Sequence, residues 1–406
     1  AVDNQPWSGE ANVHVSIVNS VKTHDPKLLP QERRLWFKVE AAPGKKKIRK
    51  RGSVPAHKDY ELDFRTTPVL NSALSDRPDL STASRLRFST QTTIVCQGVT
   101  PGHAGFVLSP AAAKKVTASD ALSRDVVFPY LVGRDLLTGT GVPTRDIIDF
   151  GQMSILEAQQ FRSAFRHVES HVLPEIENKA AQEKDGETAR NDQLGRWWMH
   201  WRSRRELIRA ISKLDRFLVC SRVTKRPIFV FVGSSVRPGD SIQVFAFDDD
   251  YSFGILHSIA HWQWFVAKCS KLTERFRYTP ESVFDTFPWP QSPTAVQVTA
   301  VAAAGREVRR VRDEALTNIK GGLRAVYRTL ELPGRNPLKE AHAALDAAVL
   351  AAYGFSAKKD LLAQLLELNH AVAARIAADE PVTAPGIPPG FPHPEALVTD
   401  DCIRPE

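Results

Sequence analysis

The sequence predicts a mixed α+β chain: a β-rich region with inserted helices, followed by a small all-α helical module. Three observations predict it. Short runs of β-formers with Gly and Pro punctuation fill residues 60–150. Two closely spaced apolar runs, RFLVCSRV and PIFVFV, read as neighbouring strands. After Ser292 the composition shifts to Ala, Val and Arg at helical spacing. With 406 residues, 42% of them hydrophobic, the chain can bury more than one core.

In order, the first strand-like run is VHVSIV, where Val13, Val15 and Ile17 alternate with His14 and Ser16. No helix or hairpin pattern precedes it, so its sheet partners are expected elsewhere. Residues 41–58 hold a basic cluster between turn residues and read as an exposed loop. TTIVCQGV and AGFVLS are short strand candidates within an irregular β-rich region. Ile155, Ala158, Phe161, Phe165, Val168 and Val172 form one helical face, expected to stop before Pro174. A polar stretch leads into RWWMHWRSRRELIRAI and then the two strands. GILHSIAHWQWFVAK reads as an aromatic helix, and RYTPESVFDTFPWP as a fixed aromatic wrap. Residues 295–330 read as one long helix. Ala341, Ala344, Leu345, Ala348, Val349 and Ala352 line a second, and Leu361, Leu365, Leu368 and Val372 a third. Beyond Ala378 the Pro-rich tail is expected to be extended or disordered. The divisions expected are 1–40, 41–291, 292–378 and 379–406.

The formal net charge of +8 favours a polyanionic partner, nucleic acid first and an anionic membrane second. No apolar run approaches membrane-span length, and AVDNQPWSGEA carries no signal-peptide pattern. Cys96, Cys220, Cys269 and Cys402 are scattered without paired spacing, which suits a reducing, cytoplasmic location.

Chemical motifs are sparse. There is no Walker-type loop, and Gly98, Gly102 and Gly105 in GVTPGHAGF are better explained by a turn. His257 and His261 share a helix face, but Ser-Ile-Ala between them lacks the general-base Glu of a metalloprotease helix. Packing is the better reading there, and a helix surface or core edge the better one for His167 and His171. PEIENK at 174–179 reads as a solvated helical face. No catalytic residue, metal or cofactor site is assigned.

The most informative stretch is RWWMHWRSRRELIR. Arg196, Arg202, Arg204, Arg205 and Arg209 interleave with Trp197, Trp198 and Trp201. Arginines there can grip phosphates or fork onto guanine, and the tryptophans either stack on bases or anchor the core. In CSRVTKRP, Ser221, Arg222, Thr224, Lys225 and Arg226 form a basic turn between strands; Lys225 and Arg226 are taken as backbone contacts. Lys45, Lys46 and Lys47 of the early basic loop are candidates for a non-specific phosphate grip.

PYLVGRDL (129–136), RDIIDFG (145–151), EAQQFRSAFRHVESHVLP (157–174), RWWMHWRSR, RFLVCSRVTKRPIF and RYTPESVFDTFPWP together resemble the target-recognition region of MmeI-like DNA adenine methyltransferases. QPWSGEANVHVSIVN resembles the stretch after their catalytic motif, and LDAAVLAAYGF their C-terminal helical module. That family includes fused restriction–modification enzymes and the methyltransferase of the DISARM anti-phage system. The resemblance implies a remnant of a Rossmann-like methyltransferase sheet at 1–40 and a target-recognition domain at 41–291. It also implies double-stranded DNA as partner and S-adenosylmethionine-dependent methylation of a flipped adenine in the complete enzyme. Arg134, Asp135 and Arg145 fall in the matched segment and are candidate DNA contacts. Asp135 either accepts from cytosine, holds Arg134 or caps a turn. The family's Gly-rich cofactor turn and Asn-Pro-Pro-aromatic motif do not occur; Asn336-Pro337-Leu338 lacks the second proline and the aromatic. The catalytic domain is therefore expected in the same longer polypeptide or in a separate chain. The alternative is a non-catalytic scaffold subunit of a defence complex.

Overall fold

The computed structural model describes residues 1–6, 14–20, 22–28, 30–39, 61–67, 70, 78–88, 95–183, 189–272 and 275–404. They fall into two compact units, Ala1–Ala83 and Ser84–Glu406. The first holds one four-stranded sheet, with β1 (Val2–Pro6), β2 (His14–Ile17), β3 (Arg33–Val39) and β4 (Glu61–Thr67) in the order β2-β1-β3-β4. β1 runs antiparallel to β2 and parallel to β3, and β3 pairs antiparallel with β4. The expectation that no hairpin precedes VHVSIV and that its sheet partners lie elsewhere is corrected: VDNQP pairs with it directly. Val2 is its only aliphatic residue, so the strand carries no apolar alternation and takes its conformation from its neighbours.

The second unit opens with β5 (Val95–Gln97), β6 (Val107–Leu108), α1 (Pro110–Ser119), β7 (Val127–Leu131), α2 (Gly133–Thr138) and β8 (Asp146–Ile148). Ser109 caps α1 by accepting from the Ala112 N–H. The helix expected from 155 is three: α3 (Ile155–Ala158), α4 (Arg162–His171) and α5 (Leu173–Ala181). The stop before Pro174 holds, but Pro174 then sits in the first turn of α5, where a missing N–H has no cost. Phe165, Val168 and Val172 of this face are buried, as their spacing predicts. Two short helices follow, α6 (Ala189–Leu194) and α7 (Arg205–Ile211).

The legible strand pair is β9 (Arg216–Ser221) and β10 (Val230–Gly233), antiparallel and wholly buried. β11 (Arg237–Pro238) pairs in parallel with β7 in a sheet of order β11-β7-β8-β6, and β12 (Ile242–Phe245) joins β9 to β5 in the central sheet β10-β9-β12-β5. The aromatic helix is broken by extended Ser258 into α8 (Asp250–His257) and α9 (Ile259–Lys268). A small hairpin of β13 (Ser270–Leu272) and β14 (Arg275–Arg277) follows. The aromatic wrap is fixed as expected: Tyr278, Phe284, Phe287 and Trp289 are each at most 2% exposed. Burial of each such ring stabilises the fold by about 2–3 kcal/mol.

The last helices are α10 (Ala295–Asn318), α11 (Gly322–Arg328), α12 (Pro337–Tyr353) and α13 (Leu361–Ala377). The single helix expected to 330 breaks after Asn318. Gly321 and Gly322 have φ of +107° and +70°, and a Cβ on Gly322 would lie 2.4 Å from the Gly139 carbonyl oxygen. Residues 379–404 are extended without regular helix or strand, apart from the short turn Pro394–Leu397, yet they are docked: Leu397 is 2% exposed and Ile403 bridges to Val232. Disorder expected from their proline content is overruled by these long-range contacts.

Candidate nucleic-acid interface

The edge of the central sheet at β5 is shaped by close backbone approach. A Cβ on Gly98 would lie 2.3 Å from the carbonyl oxygens of Pro238 and Gly239. Thr100 and Arg202 exchange two backbone hydrogen bonds of 3.0 Å, so the RWWMHWRSR stretch lies against GVTPG. Gly102, at φ +84°, faces Trp201 so closely that a Cβ would come within 2.7 Å of that residue's own. The glycine cluster is therefore a packing device. Next in the chain, Arg204 takes the left-handed conformation, φ +51°, as it leads into α7. That conformation costs a non-glycine residue roughly 1–2 kcal/mol, and such strain collects at functional positions.

Arginines from separate parts of the chain meet here. Arg204 Nη2 reaches Gln97 Oε1 at 3.4 Å. Arg222, one residue past β9, donates its N–H to Ser241 O (2.9 Å) and accepts from the Tyr278 N–H (2.8 Å). Arg277, exposed on β14, bridges to Val223. Burial pushes the Arg222 guanidinium below its ordinary range, and the positive charges of Arg277 and then Arg204 add to that, against Asp240 and Glu281. Asp240 is also the charge felt by the Tyr130 hydroxyl, which burial has already raised, while Arg145 pulls it down. Arg145, Arg204 and Arg222 each hold a buried Nε without a partner, as do Asp135 Oδ2 and both amide atoms of Gln243. Guanidiniums crowded together with only Asp240 and Glu281 opposing them at Arg222 suit a phosphate-rich partner.

The expected site residues distribute unevenly. Lys45, Lys46 and Lys47 lie outside the described residues. Arg134 is exposed on α2; Arg196, Arg202, Arg205 and Lys225 are also exposed and form no side-chain ion pair among the described residues. Asp135, 6% exposed, accepts from the Thr144 hydroxyl (3.1 Å) and Arg145 Nη2 (3.4 Å). It thus holds Arg145, not Arg134, and is a buried acceptor and no open groove-facing acid. Arg226 turns inward. Its guanidinium lies 4.4 Å over the Trp262 ring and 5.6 Å over Tyr327, and Nη2 is 3.5 Å from His342 Nδ1. Burial lowers its pKa. Lys225 and Arg226, neighbours in sequence, therefore face solvent and interior respectively.

Arg277 was not singled out from sequence, and Arg222 was named only as part of its turn. Arg222 follows directly on the apolar run of β9, which places it at the strand end; nothing local marks Arg277, which is brought in by the bridge to Val223.

The tryptophans mostly serve the core. Trp197 is 8% exposed with its ring 5.3 Å from Phe165, and Trp198 Nε1–H donates to Met153 O at 2.9 Å. Trp201 lies beneath Arg190 at 5.7 Å. His257 and His261 are buried in packing roles. His257 pairs with the Tyr327 hydroxyl (2.6 Å) and His261 with that of Tyr278 (2.9 Å); burial pushes His257 well down and His261 to about 3. Among the described residues no group of three His, Cys, Asp or Glu side chains is arranged to hold a metal.

Residues 218–291, which span Arg222, β12 and Arg277, match the family described as MmeI, target recognition domain. This stretch is similar to an MmeI-type target recognition domain. The fold agrees over far more of the chain. The structure of the Type IIL restriction–modification enzyme MmeI in complex with DNA superimposes with a TM-score of 0.66 at 17% identity, covering 92% of this chain and 45% of MmeI. The chain thus spans less than half of that relative's length, and the mixed α+β architecture is borne out. No curated protein matches the chain.

Proposed function

We propose that this chain is the DNA-recognition part of an S-adenosylmethionine-dependent adenine-specific methyltransferase of a restriction–modification or anti-phage defence system. The observation that carries it is the meeting of Arg204 with Arg222 and Arg277 at one end of the central sheet, the latter two within the stretch that matches the MmeI target recognition domain. Those guanidiniums would grip the phosphate backbone and set register, and exposed side chains beside them would read base edges in the major groove. Arg145, steadied by Asp135 and Thr144, adds a further cation to the same surface.

The methyl donor belongs to a catalytic domain supplied by the same longer polypeptide or a separate chain. Among the described residues of 1–83 the regular elements are four strands of one sheet, without an α-helix. When bound, that cofactor supplies the methyl group; the present residues position the duplex so that the target adenine can swing out to it. No described helix is long and apolar enough to cross a membrane.

The test is an electrophoretic shift of duplex DNA at several salt concentrations, with affinity capture of a polypeptide that binds S-adenosylmethionine. Salt-sensitive duplex binding and co-purification of that polypeptide are expected. Absence of duplex binding at low salt, with capture retained, hands the case to the scaffold reading.

A further inference from the structure

Residues 397–404 lie along the open edge of β10. The Ile403 N–H donates to Phe231 O (2.9 Å), and the Gly233 N–H donates to Ile403 O (3.0 Å). Alternate residues of an extended segment face the same way, and here Thr399, Asp401 and Ile403 make the contacts. Arg216 Nη1 donates to Thr399 Oγ1 (3.0 Å) and to Asp401 Oδ1 (2.7 Å), and Arg309 Nε donates to Asp401 Oδ2 (2.5 Å). Ile403 occupies the space a side chain at Gly141 would need: a Cβ there would sit 2.4 Å from Ile403 Cδ1.

Beneath the segment the charges are unbalanced without it. Arg216 and Arg309, 1% and 2% exposed, both bond Asp250 Oδ1 at 2.7 Å, and Arg306 bonds Asp250 Oδ2 at 3.0 Å. Asp250 alone faces three guanidiniums; Asp401 is the second carboxylate. A buried cation deprived of its partner is strongly unfavourable, so the pair Arg216–Arg309 selects for an acid at this register. Leu397 anchors the start of the segment in the core at 2% exposure, while its later residues are less enclosed. The Asp401 side chain is 45% exposed, and a cavity of about 270 Å³ lies between the segment and α10, lined by Arg309, Arg312, Asp401 and Ile403. Arg309 Nη1 is buried and unpartnered.

We propose that the β10 edge and the Arg216–Arg309 pair form a peptide-docking groove that reads Thr-x-Asp-x-Ile, with residues 397–404 as its detachable occupant in cis. The backbone bridge supplies strand addition, and the alternate side chains supply specificity, as in other sheet-edge recognition. The groove thereby couples α10 to the sheet through a segment that can leave without unfolding either.

The experiment uses the full chain with a protease site inserted between Pro392 and His393. After cleavage, the released segment stays bound on gel filtration, and a labelled peptide of residues 393–406 rebinds the washed protein. The peptide carrying Asp401→Asn binds about a hundredfold more weakly, as expected for an unpaired buried guanidinium. Loss of the segment with no rebinding, or equal binding of the two peptides, overturns the proposal. If the cleaved protein aggregates, amide hydrogen exchange on the uncut chain decides. Asp401→Asn should speed exchange at Gly233 and Ile403 with α12 unchanged; unaltered exchange at both amides rejects the groove.

Discussion

Replacing Arg204, Arg222 and Arg277 with Gln should flatten the salt dependence of duplex binding more than it harms the fold. The three guanidiniums come from a loop, a strand end and a hairpin, and face only Asp240 and Glu281 as counter-charges among the groups felt by Arg222. If each meets one phosphate, the slope of log K against log salt falls by about 0.9 per residue, or about 2.7 for the triple variant. Between 50 and 200 mM salt the advantage of the wild type would then shrink by roughly fortyfold. The assay is fluorescence anisotropy with a labelled duplex at five or more salt concentrations, alongside thermal melts. None of the three guanidiniums is tied into a carboxylate pair like that of Arg216, so the melting temperature should move by only a few degrees. Parallel lines for wild type and variant, with intact melts, would refute the reasoning and move the interface elsewhere on the surface.

Arg226→Ala should do the reverse: a lower melting temperature from the lost Trp262 and Tyr327 stacking, about 1–2 kcal/mol, with the salt slope unchanged. Gly98→Ala should destabilise by about 3 kcal/mol or more and weaken DNA binding indirectly, because its Cβ would collide with the Pro238 and Gly239 backbone; denaturant unfolding measures it. Asp346 accepts the Ile259 N–H at 2.7 Å, and burial raises its pKa from 3.8 to about 6. A raised carboxyl pKa means the folded state holds its proton longer. Stability is therefore lost as pH rises through the window from about 4 to about 6, by up to roughly 3 kcal/mol. Asp346→Asn keeps an acceptor without the charge, so its melting temperature should vary less than that of the wild type across this window.

What could be read in the sequence was what local chemistry decides. Phe165, Val168 and Val172 announced their helix through spacing, and RFLVCSRV and PIFVFV their strands through unbroken apolarity, because β9 and β10 are buried on both faces. The tryptophans were legible only as base-stacking or core-anchoring, and Trp197 takes the core role. What escaped was decided at long range. Lys225 and Arg226 carry the same charge and sit in the same turn, and only the placement of Trp262 and His342 separates their fates. Proline content suggested an unattached segment after Ala378, yet Asp401 finds Arg216 and Arg309, more than ninety positions earlier. Arg222 and Arg277 became neighbours through the pairing of Val223 with Arg277, which no periodicity encodes.

The pairing order of the central sheet bears on how the molecule forms. β5, near residue 96, waits for β12, near residue 244, and the far edge at Val232 receives Ile403. Contacts this distant along the chain are entropically slow to make. During synthesis the apolar faces of β9 and β10 must therefore persist incompletely covered until much later residues emerge. Chaperone dependence and aggregation at elevated expression temperature should follow from that delay, even for variants whose finished fold is sound.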